Sequence, residues 1–252
     1  MATDSAQIQE GLRNAGIAPG DVLHVHSSLK SFGEVAGGAD AVIDALLAAV
    51  GPAGLVSVPT HTFDTVTALQ PVFHETLSPS LVGLITNVFR LRPGAIRSLH
   101  PTHSVAAIGP RAAEFTAGHE LDDTPCGCRS PYQRLVEWNG KAVMLGVRLD
   151  SCTLMHAFEE MAGIPWLFTP GFEELWSIRK DGTVIRTPSR RHARDREFDR
   201  SFSELEPMLV EKGILRYGPI GEAQIRVVAA RPAAELLVPL FKESPGFLLK
   251  KN

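Results

Sequence analysis

Residues 141–160, KAVMLGVRLDSCTLMHAFEE, constrain the fold more than any other stretch of the chain. They read as a buried strand, a turn and the opening turns of a helix, and a strand feeding a helix is the repeating unit of α/β architecture. The same alternation runs from end to end, without an internal repeat or a low-complexity linker. Asp4 or Ser5 is placed to cap a first helix with Ile8 and Leu12 on one face, stopping near Gly16. DVLHVH reads as a strand, ADAVIDALLAAVG as a helix stopped by Gly51-Pro52, and LVSVP as a short buried strand. Residues 60–78 are polar, contain Pro71 and keep no period, so they are expected to form a long functional loop. A Ser80-led helix to about Leu91, a short strand near Arg97, the strand VAAIG, a short helix over 111–116 and the helix SPYQRLVEW with Pro131 in its first turn follow. LWSIRKDGTVIRT is expected to form a hairpin around Asp181-Gly182.

The helix that ends residues 141–160 carries chemistry. His156, Glu159 and Glu160 are three and four residues apart and share one face. A carboxylate beside an imidazole fixes its tautomer and supports its charged form, as a proton-transfer residue requires. Spacing alone fits a solvated His/Glu pair equally well. His26, Ser27 and Ser28 follow a strand, where ligands of α/β proteins bind and where small hydroxyls and backbone N–H groups can hold phosphates. The chain contains neither GxGxxG nor GxxxxGK[ST], which removes dinucleotide and P-loop readings. Ser104, just before a buried strand, lacks a GxSxG elbow and reads as a hydrogen-bonding residue rather than a nucleophile.

Composition narrows the class. A net charge of −3 argues against nucleic-acid binding, which needs a concentrated excess of Lys and Arg. The basic run SRRHARDREFD alternates with acids and reads as a solvated or phosphate-facing surface. No apolar run approaches the roughly 20 residues of a membrane span. The N-terminus lacks the basic and apolar regions of a secretory signal, and three cysteines suit a reducing compartment, so the cytoplasm is expected. Cys126 and Cys128 form a CxC that can draw in His103 or His119, but paired, spaced zinc ligands are missing and no metal is expected.

Four segments in order, VHSSLKSFGEVAGGADAVIDALLAAVGPAG, RSLHPTHSVAAIGPRA, SPYQRL and GKAVMLGVRLDSCTLMHAFEE, resemble the antibiotic N-acetyltransferase family, whose best-known members are aminoglycoside 3-N-acetyltransferases. The resemblance covers roughly residues 21–161, with a weaker echo in REFD and the C-terminal strands. It implies one acetyltransferase domain over 1–252, a layered α/β/α fold with a mixed central sheet, distinct from GNAT acetyltransferases. It also implies a cleft where acetyl-CoA and an amine meet. In that family's pattern His26, Ser27, Ser28 and Leu29 match the pantetheine and phosphate loop, and His103 and Ser104 line the coenzyme cleft. Thr153, His156 and Glu159 match its T-x-x-H-x-x-E motif, whose histidine is the general base, and Glu197 and Asp199 match a late acidic segment.

Amines attack thioesters as free bases, and an imidazole titrating near about 6.5 can take the proton as the C–N bond forms. The expected partner of His156 is Glu159 or Glu197, and backbone N–H groups after Ser27 or the Thr153 hydroxyl can face the oxyanion. Asp64, Asp122, Asp123, Glu159, Glu160 and Asp199 are available to a cationic acceptor. The rivals are acyl transfer through Cys152 or Cys126, a non-catalytic CoA-binding module, another amine as acceptor, and a metal-dependent hydrolase built on the nine histidines. A monomer or homodimer is expected. Residues 163–196, with WLFTPGFEELW and RRHARDR, depart from better-known members and follow no substrate rule.

Overall fold

The computed structural model describes residues 2–193 and 198–251, and helix and strand alternate through them. In chain order the elements are α1 (Ser5–Asn14), β1 (Val22–Ser27), α2 (Gly38–Val50), β2 (Leu55–Pro59), β3 (Val72–His74), α3 (Leu84–Arg90), β4 (Ile96–Arg97), β5 (Val105–Ile108), α4 (Ala112–Thr116), α5 (Pro131–Glu137), β6 (Lys141–Leu145), α6 (Thr153–Ala162), β7 (Trp176–Ile178), β8 (Val184–Arg186), β9 (Phe198–Arg200), α7 (Glu206–Glu211), β10 (Leu215–Ile220), β11 (Ala223–Ala229), α8 (Ala230–Glu243) and β12 (Leu249–Lys251).

Seven strands form the central sheet in the order β10-β11-β6-β1-β2-β5-β4. β1 runs parallel to β2 and β6, while β11 joins β6 and β5 joins β2 antiparallel, so the sheet is mixed, as expected. The two-residue period of the strands divides the interior into two cores. Leu23, Val25, Val56, Val58, Val143 and Leu145 pack with Ile8, Leu12, Val42, Ile43 and Phe89 of α1, α2 and α3. Ala142, Met144, Val105 and Val228 pack with Phe115, Leu135, Met155, Phe158 and Leu237 of α4, α5, α6 and α8. A strand clad on both faces is apolar throughout, which is why LVSVP and KAVML show no alternation of apolar and polar residues. On β1 the same period turns His24 and His26 away from Leu23 and Val25, His24 towards Tyr132 of α5 and His26 towards Thr153 of α6.

Local signals set the element ends. Asp4 closes a capping box on α1, accepting from the Gln7 amide at 2.8 Å while its own amide donates to Gln7 Oε1 at 3.0 Å. Ser130 caps α5 ahead of Pro131. The hairpin β7–β8 forms around Asp181-Gly182, with Gly182 at φ 87. Two readings change. α3 starts at Leu84 rather than Ser80, because Asn87 bonds both the amide and the carbonyl of Ser80 and holds residues 80–83 as a loop folded back on the helix. Residues 60–78 are not loop throughout: Val72–His74 pairs parallel with β7 in a second sheet, β3-β7-β8, anchored by fully buried Phe73. Three residues are too few to show a strand period. Among the described residues, no helix is long and apolar enough to cross a membrane.

Candidate active site

The site lies where β1 and β6 end beside the N-terminus of α6. Gly146 turns the chain out of β6 at φ 67, and a Cβ there would fall 1.6 Å from Ser31 Oγ. Only glycine allows that backbone conformation together with that approach. The segment after β1 is thus pressed against the end of β6, with the Ser28 amide donating to the Leu145 carbonyl at 2.9 Å. Ser27, Ser28 and Leu29 are half-buried on this rim. The Ser28 N–H, one of the expected oxyanion donors, is spent on Leu145. His26 is buried, accepts from the Thr153 amide at 3.4 Å, and is lowered to about 4 by burial.

α6 presents two histidine–carboxylate pairs side by side. Glu159 Oε2 accepts from His156 Nδ1 at 2.7 Å and from Arg200 at 3.0 Å. The Glu159 side chain is 3% exposed and that of His156 27%, so the carboxylate is inside and the imidazole reaches the surface. Beside it, Glu160 Oε1 lies 2.7 Å from His192 Nε2, and the carboxyl also accepts from the Thr124 hydroxyl at 2.6 Å and the Cys126 amide at 2.8 Å. The two imidazole rings are 4.8 Å apart.

The pairs differ in charge. Burial would raise the Glu159 carboxyl, but the hydrogen bond and charge of His156, with Arg200, hold it below its ordinary range. Burial pushes Glu160 up to about 7, and burial, with repulsion from His156, pushes His192 well below the usual imidazole value. At neutral pH the first pair is built around an ionised carboxylate, whereas the second joins a carboxyl poised near half-ionisation to a neutral imidazole. Environments that separate two similar pairs in this way mark acid–base sites.

His103 stands half-buried on the opposite wall, its ring 5.8 Å from His192 and 4.6 Å from His61. Ser104 is fully buried and turned inward, donating to the Thr60 carbonyl at 2.8 Å and accepting from Arg97 Nε at 3.1 Å. Asp64 is exposed on the loop after β2. Glu197 and the side chain of Asp199 lie outside the described residues. Cys152 and Cys126 are buried thiols, Cys152 pushed up to about 12 and Cys126 raised well above the ordinary value by burial.

Six contributors were missed in the sequence. His192 and Arg191 sit in the basic run read as solvated or phosphate-facing, yet both turn inward, because Arg191 bonds Glu173 through two nitrogens and caps the carbonyls of Phe63 and Val66. That clamp ties residues 163–193 to the loop after β2. Arg200 completes the Glu159 pair, and Trp166 and Phe168 of the unassigned aromatic stretch face Arg200 and stack on His192. Tyr132 joins the wall through His61, at 2.7 Å. The only sequence hint was an aromatic-rich segment next to a basic run, without a period to orient either.

Fold and paired residues together define an α/β protein with a carboxylate-oriented histidine at the C-terminal ends of the sheet's central strands. Residues 24–242 match the family model described as aminoglycoside 3-N-acetyltransferase, and the chain belongs to that family. It is 39% identical over 181 residues to aminoglycoside N(3)-acetyltransferase III of Salmonella sp, a match covering 66% of this chain and 63% of that protein. It is 32% identical to aminoglycoside N(3)-acetyltransferase VII of Streptomyces paromomycinus over 95% of this chain and 92% of that one. Its fold matches the crystal structure of aminoglycoside acetyltransferase AAC(3)-Xa with a TM-score of 0.84 at 31% identity, over 96% of this chain and 93% of the other. AAC-IIIb in a binary complex with CoASH matches at 0.83 and 26% identity, over 96% and 97%. A mutant of AAC(3)-IVa in complex with gentamicin matches at 0.83 and 27%, over 98% and 92%.

Proposed function

We propose that this chain moves an acetyl group from acetyl-CoA to an amine of an aminoglycoside, at the 3-amino position, by direct attack in a ternary complex with His156 as general base. The observation that carries the reading is the His156–Glu159–Arg200 arrangement, a partly exposed imidazole bound to a buried carboxylate. Nδ1–H donates to Glu159, which leaves the Nε2 lone pair for the substrate. As the amine nitrogen bonds to the thioester carbon, its proton passes to Nε2. The tetrahedral intermediate then collapses, the C–S bond breaks and coenzyme A leaves as thiolate. No step requires a metal.

The rim formed by Ser27, Ser28 and Leu29, with His26 and Thr153 behind it and His103 and Ser104 on the facing wall, is the proposed seat of the coenzyme; bound CoASH in a relative of the same fold supports it. The Thr153 hydroxyl is the proposed oxyanion donor. Asp64 and Asp199 are proposed to meet the cationic acceptor, whereas Glu160, expected to do the same, is already bonded to Thr124, the Cys126 amide and His192; Glu197 remains a proposed acid of the site. The names of the relatives and the gentamicin complex support an aminoglycoside acceptor and a role in antibiotic resistance. Residues 1–252 are proposed to act as one acetyltransferase domain, as a cytoplasmic monomer or homodimer. A cysteine route is disfavoured by the depth and high proton affinity of Cys152 and Cys126.

The test is acetyl-CoA-dependent thiol release with a panel of aminoglycosides and simple diamines. Release that requires an aminoglycoside and yields a monoacetylated product supports the reading. Release with diamines alone moves the acceptor outside the antibiotics, and binding of CoA without release to any amine makes the chain a binding module.

A further inference from the structure

Cys126, Glu160 and His192 come from three separate parts of the chain: the loop before α5, the helix α6, and the segment clamped by Arg191. A thiol sulfur, a carboxylate oxygen and an imidazole nitrogen from these residues all lie within 4.8 Å of one another. Acetyl transfer by His156 uses neither the sulfur nor the second imidazole. The Cys126 thiol is fully buried, and its polar neighbour is the Thr153 carbonyl at 3.9 Å, a weak contact at best. We propose that these three side chains form a binding site for a thiophilic divalent cation of the zinc class.

The donor set suits such an ion. Sulfur, nitrogen and one oxygen select zinc or cadmium over magnesium or calcium, which take oxygen donors. Three protein ligands also leave a fourth position for water. The supporting contacts exist already: the Thr124 hydroxyl and the Cys126 amide hold the Glu160 carboxyl, and Phe168 stacks on the His192 ring with centroids 5.7 Å apart. Inserting the ion replaces the 2.7 Å contact between Glu160 and His192 by two bonds, which at a tetrahedral angle requires the two atoms to part by about 0.7 Å. On binding, the Cys126 thiol and any Glu160 carboxyl still protonated give their protons to solvent, and thiolate and carboxylate together neutralise the two charges of the ion. The His192 ring is 4.8 Å from that of His156, so an ion held there places positive charge beside the imidazole that must take up a proton. Inhibition of acetyl transfer is the second consequence, and it alone rests on the proposed function.

The experiment is equilibrium dialysis of the full-length, untagged protein against zinc, followed by metal analysis, with cadmium as a spectroscopic probe of sulfur bonding. One equivalent of zinc per chain and a cadmium–thiolate charge-transfer band are expected. Cys126→Ser and His192→Gln should each weaken zinc binding by about tenfold or more, whereas Cys128→Ser, at the exposed cysteine, should leave it intact. Absence of saturable binding, absence of the thiolate band, or loss of binding with Cys128→Ser while Cys126→Ser retains it would overturn the site. The band is read on the unmodified protein, so a variant that fails to fold does not spare the proposal. Zinc that binds without slowing thiol release removes only the inhibition.

Discussion

Glu159→Gln removes one charge from the site and little else. Glutamine keeps an oxygen able to accept from His156 Nδ1, so tautomer and ring orientation persist, and what is lost is the negative charge 2.7 Å from that nitrogen. With charge centres about 4 Å apart, an effective dielectric constant of ~20 gives a ceiling of about 4 kcal/mol. The His156 side chain is 27% exposed, and solvent screens part of this. A hydrogen bond to a charged partner is typically worth about 1.5–3 kcal/mol, which brackets the remainder. Arg200, 3.0 Å from the same oxygen, then meets a neutral amide and adds its positive charge to the environment of the imidazole. The expected loss in kcat is therefore about 10- to 150-fold. Most of it should appear in kcat, with the KM for acetyl-CoA within a few-fold of wild type, because the charge matters when the imidazole becomes cationic. Thiol release, measured on protein shown to be folded by thermal melting, reads both quantities. An unchanged kcat would refute the claim that Glu159 works through the charge of His156.

Other outcomes follow from particular contacts. Cys152→Ala should retain turnover within a few-fold and show no acetylated enzyme by mass spectrometry, since the thiol is buried and protonated to about 12; loss of turnover in folded protein would restore the nucleophile. Gly146→Ala forces a Cβ against Ser31 Oγ at φ 67, so it should lower the melting temperature and raise the KM for acetyl-CoA more than that for the amine; an unperturbed variant would contradict the tight seat of residues 27–31. His26 is lowered to about 4 by burial, so the unfolded chain takes up its proton from about pH 6.5 downward while the folded chain does not. Stability should therefore fall with pH between about 6.5 and about 4, and His26→Gln should remove about 3 kcal/mol of that slope in acid-denaturation curves.

The layered fold was legible because its information is local: Asp4, Gly51-Pro52, Ser130-Pro131 and Asp181-Gly182 each mark an end, and the apolar runs between them each identify a buried strand. The pairing of His156 with Glu159 was legible for the same reason, as one turn of helix sets it. What was not legible depends on long-range closure. Nothing near Arg191 announces that it will cap the carbonyls of Phe63 and Val66, so the direction in which His192 points could not be read. Ser104 carried a correct hydrogen-bonding reading, but its partners, Thr60 just past β2 and Arg97 of β4, come from elsewhere in the chain and turn it into the wall. Glu160 looked like a free carboxylate for a cationic acceptor, and only the fold reveals that Thr124, the Cys126 amide and His192 already surround it.

The most direct measurement of the central claim compares wild type with His156→Ala in single-turnover reactions with acetyl-CoA and an aminoglycoside, recording product mass and, separately, CoA binding. The account predicts an acetylated product with the wild type, loss of at least about a hundredfold in rate with the variant, and CoA affinity nearly unchanged. Product formation at the wild-type rate by His156→Ala would contradict it, because no other described group joins a partly exposed imidazole to a buried, ionised carboxylate at this end of the central strands.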